Sequence, residues 1–175
     1  MSIFITPTIE TDRLILRFLT VDDAESVFEW TGDERVAEYM IYPCHQNIEV
    51  TKEWLRSIEH LENEYTWGFV RKSDGKLIGS GGIRFRTEEN VWSFGYNLRH
   101  DCWGKGYATE AAKRMINYVY SEKNAREFVS EHAVENHASG RVIEKCGLTF
   151  DGYSEYTKFD GSRSFKSKKY RMILK

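Results

Sequence analysis

The chain has 175 residues, 41% of them hydrophobic, 30% charged and 14% aromatic. That composition excludes a disordered or fibrous polypeptide and fits a single unit over 1–175 large enough to bury a core. A formal net charge of −2 excludes the basic footprint of a nucleic-acid binder, and no apolar run approaches the ~18 residues that cross a bilayer.

In chain order, Arg13 to Phe18 reads as a strand. Thr20-x-x-Asp23 then opens a helix with an acid in its first turn, and Val27, Phe28, Val36, Ala37 and Met40 supply its apolar face. Tyr42-Pro43 breaks that pattern. Val50, Trp54, Leu55, Ile58 and Leu61 recur at helical spacing and predict an amphipathic helix over 48–63. The period then changes. Apolar runs at 67–70 and 76–79 flank Ser73-Asp74-Gly75, a hairpin signal. Gly79, Gly81 and Gly82 mark a bulge or a close backbone approach. A strand over 91–98 carries Trp92, Phe94 and Tyr96 on one face. It is followed by a helix over 108–120, a strand over 128–134, and a helix over 138–146 with Gly147 as its C-cap. Segments 148–159 and 165–174 close as a hairpin around Asp160-Gly161. The order β-α-α-β-β-β-α-β-α-β-β specifies an α/β (α+β) fold with a mixed sheet.

Cys44, Cys102 and Cys146 share no CxxC spacing, which argues against a disulfide framework or a metal knuckle. With no basic, apolar leader at the N-terminus, a reducing cytoplasm is the expected compartment. Charge is unevenly spread: residues 21–40 hold seven acids and one base, residues 156–175 seven bases and one acid. Two solvated faces are the plain reading, and an acidic rim that attracts a cationic substrate is the sharper one. The aromatic residues of the closing hairpin (Tyr153, Tyr156, Phe159, Phe165, Tyr170) offer a homodimer surface, with a monomer as the alternative.

The chemistry-bearing stretch is Tyr96-Asn97-Leu98-Arg99-His100-Asp101-Cys102-Trp103-Gly104-Lys105-Gly106-Tyr107-Ala108-Thr109-Glu110-Ala111. It runs strand, glycine loop, helix. Gly104 and Gly106 carry no Cβ, so the loop can take positive φ and bring its backbone against a ligand. The N–H groups from Gly104 to Thr109 then converge at the positive end of the helix, a phosphate site that needs no charged side chain. A tight turn kept for packing is the competing reading. The helix leads to a second strand, giving a βαβ unit with parallel neighbours. Directly after that strand stands Val134-Glu135-Asn136-His137-Ala138-Ser139-Gly140-Arg141-Val142-Ile143-Glu144-Lys145-Cys146-Gly147-Leu148.

On these two segments the chain resembles the GCN5-related N-acetyltransferases. Their Gln/Arg-x-x-Gly-x-Gly/Ala motif is matched by 103–108, with Gly106 and Ala108 in place and Trp103 where the family carries Gln or Arg. Trp103 with Gly-Lys-Gly-Tyr-Ala-Thr-Glu-Ala, the opening Thr11-Asp12-Arg13-Leu14-Ile15-Leu16-Arg17, and the Asn136-x-x-Ser139 pair look like the branch that acetylates ribosomal-protein N-termini. The resemblance covers roughly 11–172. It implies a central, mostly antiparallel sheet whose parallel pair splays around the cofactor. It also implies acetyl-CoA as co-substrate, with no metal. The pyrophosphate would lie on Trp103, Gly104, Lys105, Gly106, Tyr107, Ala108 and Thr109. The pantetheine would lie along the strand at Tyr96, Asn97 and Leu98, touching Asn136. The family often places a tyrosine seven residues after the asparagine; here that position is Ile143. A glutamate common in related chains is replaced by Ser93.

The implied reaction is direct attack of a primary amine in a ternary complex. Ser139 is the candidate to hydrogen-bond or protonate the departing sulfur, against a plain helix-start serine. Glu131, and alternatively His132, is the candidate base through water. A strand N–H near Asn97-Leu98 is the expected donor to the acetyl oxygen. Trp30, Tyr39 and Tyr42 are the candidate acceptor-binding residues, against ordinary core aromatics. Cys102 is expected to pack rather than to react. The acceptor is a protein or peptide N-terminal amine, with a polyamine, amino acid or antibiotic amine as the alternative. A dinucleotide-dependent oxidoreductase is disfavoured because the loop is not G-x-G-x-x-G; a non-catalytic acyl-CoA sensor stays open. Nucleic acid and membrane are not expected partners.

Overall fold

Alternating apolar residues make strands here, and the glycine and asparagine turns between them set the register. A computed structural model describes residues 4–175 of the chain. Its elements are β1 (Ile9–Glu10), β2 (Leu14–Arg17), α1 (Ala24–Thr31), α2 (Glu34–Ala37), α3 (Ile48–Ser57), β3 (Glu64–Arg71), β4 (Leu77–Arg86), β5 (Val91–Leu98), α4 (Tyr107–Lys123), β6 (Glu127–Ala133), α5 (His137–Lys145), β7 (Thr149–Thr157) and β8 (Ser164–Ile173). The strands form one sheet in the order β1-β2-β3-β4-β5-β6-β8-β7. Every neighbouring pair is antiparallel except β5 and β6. The mixed, mostly antiparallel α/β architecture expected from the sequence is therefore present. Among the described residues no helix is long and apolar enough to cross a membrane.

Two cores sandwich the sheet. On one face α4 buries Ala111, Ala112, Met115, Ile116 and Val119 against Trp67, Phe69, Ile83, Phe94 and Phe128. Met115 and Phe128 have no exposed surface, so truncating either to alanine should cost about 2–5 kcal/mol. On the other face Val27 and Trp30 of α1 and Leu55 of α3 pack with Leu19, Val36 and Leu77.

The structure differs from the sequence expectation in four places. The single helix expected after Thr20 is a 3₁₀ turn at Val21–Asp23, then α1, then the short α2. Asp33 ends α1 and restarts the chain, because its carboxylate accepts from Arg35 N. The helix over 48–63 stops at Ser57 and tightens into a 3₁₀ turn at Ile58–His60. β1 is additional to the expected strands, because two residues carry no periodicity. Finally, the closing hairpin joins the main sheet, with β8 between β6 and β7. Phe165 and Tyr170 are therefore buried, while Tyr153 and Phe159 stay exposed. The expected aromatic surface is divided between core and solvent.

The expected glycine approach is real. A Cβ on Gly79 would lie 2.4 Å from Asn97 O, and one on Gly81 2.7 Å from Phe69. The β3–β4 register also shifts between Phe69 and Val70.

Candidate active site

β5 and β6 pair only at Trp92↔Phe128 and Ser93↔Val129. Beyond these pairs the strands part. At the parting point Ser130 Oγ donates to Phe94 O at 2.9 Å, so a side chain takes the carbonyl that the ladder abandons. Backbone groups of a strand alternate in direction. Arg99 N donates to β4, at Ile78 O, whereas Phe94 O turns to β6 and Leu98 O accepts from Trp103 Nε1 at 3.0 Å. The N–H groups of Tyr96 and Leu98 thus face the opening. Asn97 N–H, named with Leu98 as an expected donor, points to β4 instead.

The opening ends on the glycine loop. Gly104 and Gly106 sit at φ 74° and 82°, a left-handed backbone in which an L side chain is strained. A Cβ on Gly104 meets nothing within 4 Å, so the approach is open for a ligand. Helical hydrogen bonding starts with Glu110 N to Gly106 O. The N–H groups of Tyr107, Ala108 and Thr109 precede the ladder and are available to an anion. Trp103 is 44% exposed, with its ring against His100. Lys105 is exposed at the loop tip.

The loop has an outside brace that the sequence reading missed. Arg13 Nη1 donates to Lys105 O at 2.9 Å, and Arg13 Nε to Glu110 Oε1 at 2.9 Å. The guanidinium lies 4.3 Å from the Tyr107 ring centre. Thr11 Oγ1 donates to Glu110 Oε2 at 2.6 Å. Burial pulls the Glu110 carboxyl up, but these donors outweigh it and hold the carboxyl below its ordinary range. Thr11 and Arg13 of the opening motif are therefore structural partners of the loop.

Asn136 is the N-cap of α5, its Oδ1 accepting from Ser139 N at 3.3 Å. Across the opening, Tyr96 reaches from β5 to α5. Its hydroxyl donates to Ser139 O at 3.1 Å and lies 3.0 Å from Ser139 Oγ. Burial pushes the Tyr96 phenol well above its ordinary range, so it remains a proton donor at neutral pH. Ile143, where the resemblance leads one to look for a tyrosine, is 1% exposed in the core. The phenol beside Ser139 comes instead from the strand.

On the opposite face of β5, Ser80 Oγ donates to Asn97 Oδ1 at 2.9 Å, and Asn97 Nδ2 donates to Tyr42 Oη at 3.0 Å. The Asn97 side chain is thus turned to Tyr42. Burial keeps the Tyr42 phenol protonated, shifting it far up. Glu131 is exposed, accepts from Ser167 Oγ at 2.8 Å, and alternates in direction with His132. The Tyr39 backbone oxygen accepts from Tyr156 Oη at 2.5 Å, and the Tyr39 ring meets Phe165 edge-on.

Two candidates are not brought to this group. Trp30 is wholly buried in the second core, because α1 turns it inward beside Val27; its Nε1 is a buried polar atom without a hydrogen-bond partner among the described residues. His132 lies under α5, where a Cβ on Gly140 would come within 2.7 Å of its Nε2. It is a packing histidine, its pKa lowered by burial. Cys102 is buried and its thiol pushed up by burial, as suits a residue that packs.

Comparison with known proteins identifies the family and the fold. Residues 13–149 match the family model described as Acetyltransferase (GNAT) domain. The uncharacterized N-acetyltransferase YoaA of Bacillus subtilis (strain 168) is 25% identical over 171 residues, covering 95% of this chain and 97% of that protein. Among solved structures, spermidine N-acetyltransferase from Vibrio cholerae, in complex with CoA and spermine, superposes with a TM-score of 0.79 at 19% identity, covering 94% of this chain and 97% of that one. Ribosomal-protein-S5-alanine acetyltransferase from Vibrio fischeri superposes with a TM-score of 0.77 at 19% identity, covering 95% and 96%.

Proposed function

The chain belongs to the GNAT family of acetyltransferases, and from that premise we propose that it acetylates protein or peptide N-terminal α-amines by direct attack in a ternary complex. Membership makes it an acetyl-CoA-dependent N-acetyltransferase. The observation that carries the site assignment is the parting of β5 and β6 after Ser93↔Val129, with the loop of left-handed Gly104 and Gly106 at its end.

The roles follow from placement. Loop N–H groups from Gly104 to Thr109 hold the pyrophosphate, and Arg13 and Glu110 keep that loop in shape. The pantetheine lies along Tyr96 to Leu98. Asn136 Oδ1 is committed to the helix cap, so its amide N–H₂ is the part left for the pantetheine. Acetyl-CoA supplies an activated acyl carbon and a thiol leaving group. Leu98 N–H, facing the opening, donates to the acyl oxygen as charge builds there. Ser139 Oγ donates to the departing sulfur, with the Tyr96 phenol behind it. Tyr39 and Tyr42 form the acceptor wall, and Glu131 takes the amine proton through water.

An α-amine suits this site. Its pKa of about 7.7–8.0 leaves a useful neutral fraction at pH 7.5, whereas a lysine near 10.4 leaves very little. A solvent-exposed Glu131 acting through water is then a sufficient base. The spermidine enzyme named above makes a polyamine the second reading, favoured by the seven acids between 21 and 40. The test is free-thiol release from acetyl-CoA, with intact-mass readout of the product. The panel comprises a serine-initiated and an alanine-initiated peptide, spermidine and a free amino acid. The proposal requires that a peptide be the best acceptor and gain one acetyl group at its α-amine. Preference for spermidine overturns the acceptor assignment, and no turnover with any amine overturns the catalytic reading.

A further inference from the structure

The segment joining α2 to α3 carries Tyr39 and Tyr42, yet it has little regular structure of its own. Its carbonyls are taken up one after another by the β7–β8 hairpin. Lys158 Nζ donates to Ala37 O at 2.6 Å, to Met40 O at 2.8 Å and to Tyr42 O at 3.3 Å. Tyr156 Oη donates to Tyr39 O, and Phe159 N donates to Ile41 O at 2.9 Å. Of the six carbonyls from Ala37 to Tyr42, only that of Glu38 is left out.

Lys158 is 9% exposed. An ammonium has three donors, and here all three find an oxygen, which is how a lysine can be buried without a carboxylate partner. The hairpin tip is itself fixed. Lys158 N donates to Arg163 O, Gly161 N donates to Lys158 O, and Gly161 takes φ 74°. At the far end of the segment, Tyr42 Oη meets Asn97 Nδ2 on β5. Three stretches of chain remote in sequence thus converge on one tyrosine, Lys158 at its carbonyl and Asn97 at its hydroxyl.

We propose that Lys158 is a positioning residue for acetyl transfer: by gathering the carbonyls of Ala37, Met40 and Tyr42 it sets the acceptor wall and holds the Tyr42 hydroxyl on Asn97 of β5. Tyr42 Oη accepts from Asn97, so its own proton is free to be donated, and the reading above assigns that face of β5 to the acceptor. The inference rests on the reading of that side given above. It adds that the acceptor wall is held from outside its own segment by the last hairpin of the same chain, which explains why a lysine stands where the pattern would place a solvated charge.

The experiment uses the full chain and whichever panel amine the wild type acetylates fastest. Lys158→Met should lower kcat/KM for that amine on the order of 10- to 100-fold, the scale of a misplaced positioning group, and leave KM for acetyl-CoA unchanged. Amide exchange over 37–45 should rise while exchange over 104–109 does not. In a Tyr42→Phe background the same substitution should cost little further, because both act through one phenol. Lys158→Arg keeps the charge but not the convergence and should restore only part of the activity. If Lys158→Met does not fold, Tyr156→Phe, which frees Tyr39 O, serves the same comparisons with smaller effects. A lowered melting temperature with unchanged kcat/KM, or fully additive losses with Tyr42→Phe, overturns the proposal. Unchanged exchange over 37–45 overturns it even if the wild type acetylates none of the amines, an outcome that would separately refute the reading of the site.

Discussion

Replacing Arg13 with alanine tests whether the cofactor loop needs its outside brace. The side chains of Arg13 and Glu110 are 44% and 22% exposed, so their ion pair contributes at most ~1 kcal/mol to folding. Loss of the Tyr107 ring contact adds ~0.5–1 kcal/mol. A total of about 1–2 kcal/mol should lower the melting temperature by ~2–8 °C in a chain of this size. The effect on CoA should be larger in consequence. Lys105 O loses the donor that fixes the loop, worth ~1 kcal/mol. Glu110 is also left as an unpaired anion at the start of α4, where the pyrophosphate charges must rest, for a further ~1 kcal/mol after screening. Together these weaken CoA by ~2 kcal/mol, a 10- to 30-fold rise in Kd, measured by titration calorimetry at fixed salt. Arg13→Ala with Glu110→Gln should recover the electrostatic half. Unchanged CoA affinity beside a lowered melting temperature would refute the reasoning and leave Arg13 a purely structural residue.

Asn136→Asp keeps the α5 cap but loses the amide N–H₂, so KM for acetyl-CoA should rise with no loss of melting temperature, whereas Asn136→Ala should lose about 1 kcal/mol of stability as well. Ser139→Ala should cut kcat on the order of 10- to 100-fold and leave CoA binding intact, and Tyr96→Phe should lower kcat in the same direction; wild-type kcat in Ser139→Ala would remove it from the chemistry. Burial lowers the His45 pKa, so below about pH 6.5 the unfolded chain takes a proton that the folded chain refuses. Melting temperature should therefore fall between pH 7.5 and 5.5, and His45→Gln should flatten that slope. Glu110, held below its ordinary range, adds stability that is lost only as pH falls through its folded value. If the acidic segment steers a cationic acceptor, kcat/KM for the amine should fall with ionic strength while kcat holds. Glu34→Lys is the better reversal, since Asp33 caps α2, and salt-independent kcat/KM makes the segment a solvated face.

The glycine loop proposed for the cofactor was legible because backbone geometry is written locally. Gly104 and Gly106 are the residues that tolerate positive φ, and the strand before them and helix after them show their own periods. The wall proposed for the acceptor was not legible, because side chains remote in sequence assemble it. Nothing in a Lys-Phe-Asp-Gly turn signals that Lys158 will reach Ala37, Met40 and Tyr42. Trp30 and Tyr42 look alike as aromatics flanking helices, and only the packing of α1 buries one and leaves the other on Asn97. The charge count likewise separated an acidic and a basic segment that the fold joins, with Lys158 and Arg163 lying against 37–42 and Glu38. Tyr96 was read as part of the strand's backbone surface; its hydroxyl across the opening on Ser139 is a tertiary contact that alternation alone does not reveal.

A crystal structure with CoA bound tests the central claim most directly. The account predicts the pyrophosphate against the N–H groups of 104–109, the pantetheine between the parted ends of β5 and β6, and the sulfur within hydrogen-bond reach of Ser139 Oγ. CoA bound away from that opening, or with its sulfur on the far side from Ser139, would contradict it.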